Sequence, residues 1–133
     1  MEDPRISSEA VAAAAAALVT AFGNFDRSAY FAAFDPAADF VFYNADEVFA
    51  TRADYEAAWD RWVDEGWRVR QCRSLNARVR VLSDHAAVFT HEVLTTLDTA
   101  DGPCDLHERE TIVFAKEGGT WRAVHEHLSP FPD

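Results

Sequence analysis

The stretch RETIVFAKEGGTWRAVHEHLS, residues 109–129, decides the fold. On either side of Lys116–Thr120 the residues alternate with a period of two, the mark of paired, half-buried strands. Gly118 and Gly119 supply the positive φ that a tight hairpin turn needs. The spacing predicts strands over about 106–117 and 120–129. The same period extends upstream over 67–82 and 86–98, joined by Ser83-Asp84-His85. DTADGPCD, residues 98–105, leads into the hairpin. The tail SPFPD holds prolines that cannot continue a central strand.

The first half of the chain reads as helices. Ser7 or Ser8 is placed to cap an alanine-rich helix that reaches Phe22 and stops at Gly23-Asn24. Asp26 caps a second, short helix ended by Asp35-Pro36, and residues 39–43 form a short strand. Thr51 or Asp54 opens a third helix that runs to Glu65 and stops at Gly66. On it Tyr55, Ala58, Trp59 and Trp62 recur at helical spacing and mark the buried face. Helices followed by a long antiparallel meander give an α+β fold, and 133 residues suit one domain spanning 1–133. Long antiparallel strands twist and curl, so the curved sheet should wrap the N-terminal helices as a cone with a cavity.

Composition bounds the partners. The formal charge is −11, from 23 acidic against 12 basic residues, which disfavours nucleic acid and anionic membrane surfaces. Arg68, Arg70, Arg73, Arg78 and Arg80 are the local exception, read as a solvated or interfacial strand face. Cys72 and Cys104 are expected as free thiols in a reducing cytoplasm, with no spacing that suggests zinc. The run AVAAAAAALV resembles the core of a leader peptide, yet Glu2, Asp3 and Glu9 outweigh Arg5 where a basic start is wanted. The apolar run is also short for a bilayer, so a helix of a soluble, cytoplasmic domain is expected. With ten Phe, four Trp and three Tyr, the chain can line a cavity as well as fill a core.

The order of helix, helix, short strand, helix and four-strand meander resembles the nuclear transport factor 2-like superfamily, and the resemblance implies a cystatin-like α+β barrel. Glu110-Thr111, an apolar strand, Gly119, Trp121 and then His125-x-His127-x-Ser129 are similar to the closing hairpin of its SnoaL-like members. They are also similar to the association domain of calcium/calmodulin-dependent protein kinase II. The superfamily holds isomerases, cyclases, dehydratases, binding modules and assembly domains, so the fold does not choose among them. In the kinase association domain, basic pocket residues occupy the places matched here by Val93, Ile112 and Leu128, all apolar. The resemblance therefore does not imply an acidic ligand held by arginines. Ketosteroid isomerases use an Asp base where this chain has Tyr43-Asn44, and their protonated acid lies near Glu110.

Strand parity sorts the candidates. Phe89, His91 and Val93 share one face, Glu110, Ile112 and Phe114 another, and Val124, Glu126 and Leu128 a third. The bulkier, more apolar sets are expected against the helices. A β-bulge would invert the assignment beyond it. His125 and His127 then point outward to a wet or interfacial face, with His107 the nearest third ligand if that pair held a metal. No metal and no cofactor are expected.

The expected cavity holds His91, Glu110 and Glu126 as acid–base groups. His91 is the expected base, Glu110 the acid or oxyanion partner, and Glu126 the residue that orients them. Tyr30, Phe42, Tyr43, Asn44, Trp59, Trp62, Phe89, Val93, Ile112, Phe114 and Leu128 are the expected binding wall, with Asp46 at the mouth. A carboxyl in an apolar pocket has a raised pKa, which suits proton transfer near neutrality. The expectation is a cofactor-free lyase, isomerase or cyclase acting on a small hydrophobic carbonyl or polycyclic compound. The alternative is a non-catalytic binding or dimeric assembly module. A homodimer is expected through the outer sheet face, where Val88, Leu94, Val113 and Ala123 sit among Thr, Arg and His. Trp121 is expected to be buried just after the turn.

Overall fold

The computed structural model describes residues 3–132. Its elements are α1 (Pro4–Gly23), α2 (Arg27–Ala32), β1 (Phe34–Phe42), α3 (Arg52–Asp64), β2 (Arg68–Ser83), β3 (Ala86–Thr99), β4 (Gly102–Glu117) and β5 (Thr120–Pro130). The strands form one curved, unclosed sheet in the order β1-β5-β4-β3-β2, so the α+β architecture is as expected. Among the described residues only β1 and β5 run parallel.

Caps set the helix starts. Asp3 accepts from the Arg5 N–H at 2.9 Å and Pro4 occupies the first turn, so α1 begins before Ser7. Ser7, expected as a cap, is instead buried within the helix. Asp26 and Thr51 cap α2 and α3 by accepting from the Ala29 and Asp54 N–H groups at 3.2 Å. By length and composition α1 could cross a membrane, contrary to the expectation that its apolar run is too short. In the fold, its stripe of Val11, Ala15, Leu18 and Ala21 is buried in the core. At its end the chain passes so close to β2 that a Cβ on Gly23 would lie 3.1 Å from the Cys72 backbone nitrogen.

Two strands are longer than their periodicity suggested. β1 starts at Phe34 and carries Pro36, tolerated because β1 is an edge. Its register to β5 slips between Phe34 and Asp39, which hid the first half from a period-two reading. β4 starts at Gly102, leaving only Ala100-Asp101 as the turn; Gly102 takes φ 114° there.

The helices cover one sheet face and build an aromatic core. Trp59 is 1% exposed, stacks on Phe25 at 5.4 Å and contacts Tyr30, Phe31 and Trp67. On β3 the inward set is Ala87, Phe89, His91, Val93, Thr95 and Leu97, as parity requires. On β5 parity breaks. Val113 pairs with His125 but Phe114 pairs with Ala123, so Val124 is the extra residue of a bulge. Ala123, expected outside, is fully buried, and Val124, expected inside, is only half-buried. Beyond the bulge Glu126 and Leu128 return to the inner side. Trp121, expected to be buried, is half-buried against the edge of the core.

Candidate functional site

Between the helices and the curved sheet lies a cavity of about 350 Å3. Its apolar wall includes Leu18, Val19 and Phe22 from α1, and Val93, Leu97, Leu106 and Leu128 from the sheet. Tyr30, Phe42, Tyr55, Trp62 and Trp67 add aromatic rings. Its polar side chains are Asn44, Cys72, Thr95, Cys104, Glu108, Glu110 and Glu126, besides the two tyrosine hydroxyls.

A hydrogen-bonded chain runs from this cavity into the sheet. Register places His91 on β3 directly opposite Glu110 on β4, and Glu126 on β5 opposite Ile112, one inward position further along. His91 Nε2 lies 2.8 Å from Glu110 Oε1, and His91 Nδ1 lies 2.7 Å from Ser74 Oγ on β2. The imidazole side chain is fully buried, whereas Glu110 keeps 11% exposure toward the cavity. Glu110 also hydrogen-bonds with the Glu126 carboxyl.

The two carboxyls are driven apart. Burial alone would raise Glu110, but its hydrogen bonds with Glu126 and His91 outweigh this and hold its pKa low. Glu126 rises well above the usual carboxyl range through burial first, then the Glu110 charge and the hydrogen bond between them. Glu110 is therefore the ionised member and Glu126 the protonated one. The Glu126 residue is 3% exposed, and its Oε2 has no partner among the described residues.

Two further polar stations border this pair. Tyr30 and Tyr55 share a hydrogen bond of 3.0 Å, and both phenols are raised well above their ordinary value by burial and then by the nearby Glu126 once alkaline pH has ionised it. At the end of β1, Tyr43 donates to Glu108 Oε2 at 2.7 Å. Burial raises Glu108, and burial with this hydrogen bond pushes Tyr43 up to about 12. The Cys72 thiol is pushed up to about 12 by burial and is no nucleophile near neutral pH. Among the described residues no group of His, Cys, Asp or Glu is arranged to hold a metal.

The candidates from sequence divide into three groups. Tyr30, Phe42, Asn44, Trp62, Val93, Glu110, Glu126 and Leu128 line the cavity. Trp59, Phe89, Ile112 and Phe114 are core residues, and His91 stands behind Glu110 rather than on the wall. Tyr43 is largely exposed and reaches the cavity only through Glu108; Asp46 is exposed and off the wall. Sequence reasoning left out Glu108, Tyr55, Cys104, Leu106 and Ser74. The first two were legible: Glu108 shares the parity of Glu110, and Tyr55 marked a buried helical face. Cys104 and Leu106 needed the full length of β4. Ser74 was hidden by the register shifts that flank it in β2, one of them at Asn76 with φ 54°.

On the outer face His125 Nδ1 lies 2.8 Å from Asp39 Oδ1, and His127 is exposed. His107 Nε2 lies 3.0 Å from Glu92 and its ring stacks on Phe131 at 4.1 Å. These histidines are separated from the cavity by the sheet.

Solved structures share this architecture. A ketosteroid isomerase-like protein from Erwinia carotovora atroseptica is 18% identical with a TM-score of 0.79, covering 94% of this chain and 96% of its own. The CamKII hub homology domain from Chlamydamonas reinhardtii is 22% identical with a TM-score of 0.75, covering 95% and 98%. An uncharacterized protein with a cystatin-like fold from Caulobacter vibrioides is 18% identical with a TM-score of 0.76, covering 93% and 89%. At these identities the likeness carries the fold alone. No curated protein matches the chain. The family model described as SnoaL-like domain matches residues 11–133. With its match reaching from the middle of α1 to the last residue, this chain belongs to the SnoaL-like domain family.

Proposed function

We propose that the chain is a cytoplasmic small-molecule pocket protein and works as a cofactor-free lyase, isomerase or cyclase on a small hydrophobic carbonyl compound. The observation that carries this reading is the buried Glu126–Glu110 pair on the wall of an aromatic cavity, two carboxyls whose pKa values are driven in opposite directions. The sequence roles are redistributed accordingly. A proton leaves the ligand carbon by way of the Glu126 carboxyl to Glu110, the ionised base, while the electron pair passes to the ligand oxygen, so the negative charge moves from Glu110 to the enolate. His91, fully buried, positions Glu110 through its Nε2 contact rather than touching the ligand. One hydrogen in the Tyr30–Tyr55 pair lies between the two oxygens, which leaves the other hydroxyl hydrogen for a ligand carbonyl.

The test uses α-tetralone, a bicyclic ketone, in deuterated buffer, with exchange of its α-protons followed by NMR. The wild-type protein is expected to accelerate exchange about a hundredfold or more over buffer, and Glu126→Gln to remove that acceleration. Saturable quenching of Trp62 and Trp67 without any exchange would overturn the enzyme reading in favour of a non-catalytic binding module.

We also place a homodimer on the outer sheet face. Val88, Leu94, Val113 and Val124 are half-buried there, and the helices pack on the opposite side. The bulge adds Val124 to this set in place of Ala123. Light scattering is expected to give twice the chain mass, and Val113→Asp to return it to the monomer value. A monomer mass for the wild-type chain at micromolar concentration would overturn this assembly.

A further inference from the structure

We infer that the cavity selects organic cations, arylalkyl or alicyclic amines of about two fused rings, and rejects acids of the same shape. This rests on the pocket reading above and adds the charge of the ligand to it.

Three carboxyl groups, Glu108, Glu110 and Glu126, face one cavity, and no Lys, Arg or His side chain lines it among the described residues. Glu110 is ionised, and its stabilising contacts come from Glu126 and from His91 behind it, so its charge is felt inside the cavity. In such a low-dielectric space an ammonium is attracted and a second carboxylate repelled far more strongly than in water. Glu126 points the same way, because its buried carboxyl lines the cavity with no Lys, Arg or His partner among the described residues, and a ligand that donates supplies one.

The rings supply the rest of the recognition. Tyr30, Phe42, Tyr55, Trp62 and Trp67 present aromatic surface, whose negative ring faces attract a desolvated cation. A shallow pocket of about 230 Å3 shares Trp62 and Trp67 with the cavity and is bordered by Glu65 and Asp101, which extends the acidic field outside. Other groups that a cation would influence are Cys72, Cys104 and the two phenols, none of which carries a positive charge.

The experiment titrates the whole protein with three probes of one shape: 2-(2-naphthyl)ethylamine, 2-(2-naphthyl)ethanol and 2-naphthylacetic acid. Binding is read by calorimetry at pH 7 and by quenching of Trp62 and Trp67. The amine is expected to bind at least about tenfold more tightly than the alcohol, and the acid not to bind up to about 1 mM. Glu110→Gln, which keeps size and hydrogen bonding, is expected to bring amine and alcohol within about threefold. The comparison among probes on the wild-type protein decides the matter even if a variant fails to fold. An alcohol or acid that binds as tightly as the amine would overturn the charge selection and leave the pocket reading standing. If none of the three binds, the pocket reading falls and the inference falls with it.

Discussion

Among the described residues three histidine–carboxylate pairs bridge strands of this sheet, two on the outer face and one inside, and two of them share a geometry. His91–Glu110 and His125–Asp39 have the same 2.8 Å separation between ring nitrogen and carboxylate oxygen. The inner pair has side-chain exposures of 0% and 11%; the outer pair has 31% and 48%. Water and salt screen the outer pair, and holding two side chains in place offsets most of what it gains. The inner pair has lost that water, so each member depends on the other. Equal geometry therefore conceals unequal consequences, and only the inner pair is coupled to a second carboxyl whose protonation it controls.

The largest expected effect breaks the inner pair. His91→Ala removes the partner of a buried carboxylate and is expected to cost about 3–5 kcal/mol in denaturant unfolding. His125→Ala is expected to cost less than about 1 kcal/mol in the same measurement. Equal losses would dissolve the distinction between the faces.

The next prediction sharpens the contrast through pH. Glu126 has a raised folded pKa, so the folded state holds a proton that the unfolded chain releases near the ordinary carboxyl value of 4.5. Its contribution to stability is complete below that value and is lost as pH rises toward the folded pKa. Glu110 is opposite in sign, its contribution present above 4.5 and lost as pH falls through its lowered value. Unfolding free energy should therefore decline above about pH 5, by at most about 1.4 kcal/mol per pH unit from this one group. Glu126→Gln keeps a donor toward Glu110 but cannot ionise, so it is expected to flatten that decline and to be more stable than wild type at pH 8. Parallel pH profiles for the two proteins would show that Glu126 is not the group holding the proton.

The smallest effect lies at the sheet margin. Trp121 is only half-buried, so Trp121→Ala is expected to cost about 1–3 kcal/mol, below the 3–5 typical of a fully buried ring. A loss at the upper value would place it in the core with Trp59. Within the comparison of faces it measures how far the core extends past the bulge.

Much of the site was readable because β3 and the inner half of β4 keep strict parity. His91, Glu110 and Glu126 were assembled from alternation alone, and the structure brings them within one hydrogen-bonded chain. The reading went astray where one residue was inserted. The bulge at Val124 exchanges the faces of Ala123 and Val124, and the register shifts around Asn76 conceal Ser74. A period-two pattern contains no mark of the extra residue, because Ala123 and Val124 are small or apolar and suit either face. The expected wall also absorbed core residues, since Phe89, Ile112 and Phe114 share the parity of the site but lie at a depth that parity does not record.

What the sequence by itself determined are the local properties: helix caps at Asp26 and Thr51, the Gly118-Gly119 hairpin, the order of elements and the inward face of β3. Each depends on hydrogen bonds or side-chain alternation within a few residues, so each is written in the residues concerned. Only the tertiary structure decided that Glu126 keeps its proton and Glu110 loses it. Those identical side chains differ in pKa because one receives His91 and the other is left buried beside a charge, and such differences arise only when separate strands meet away from water.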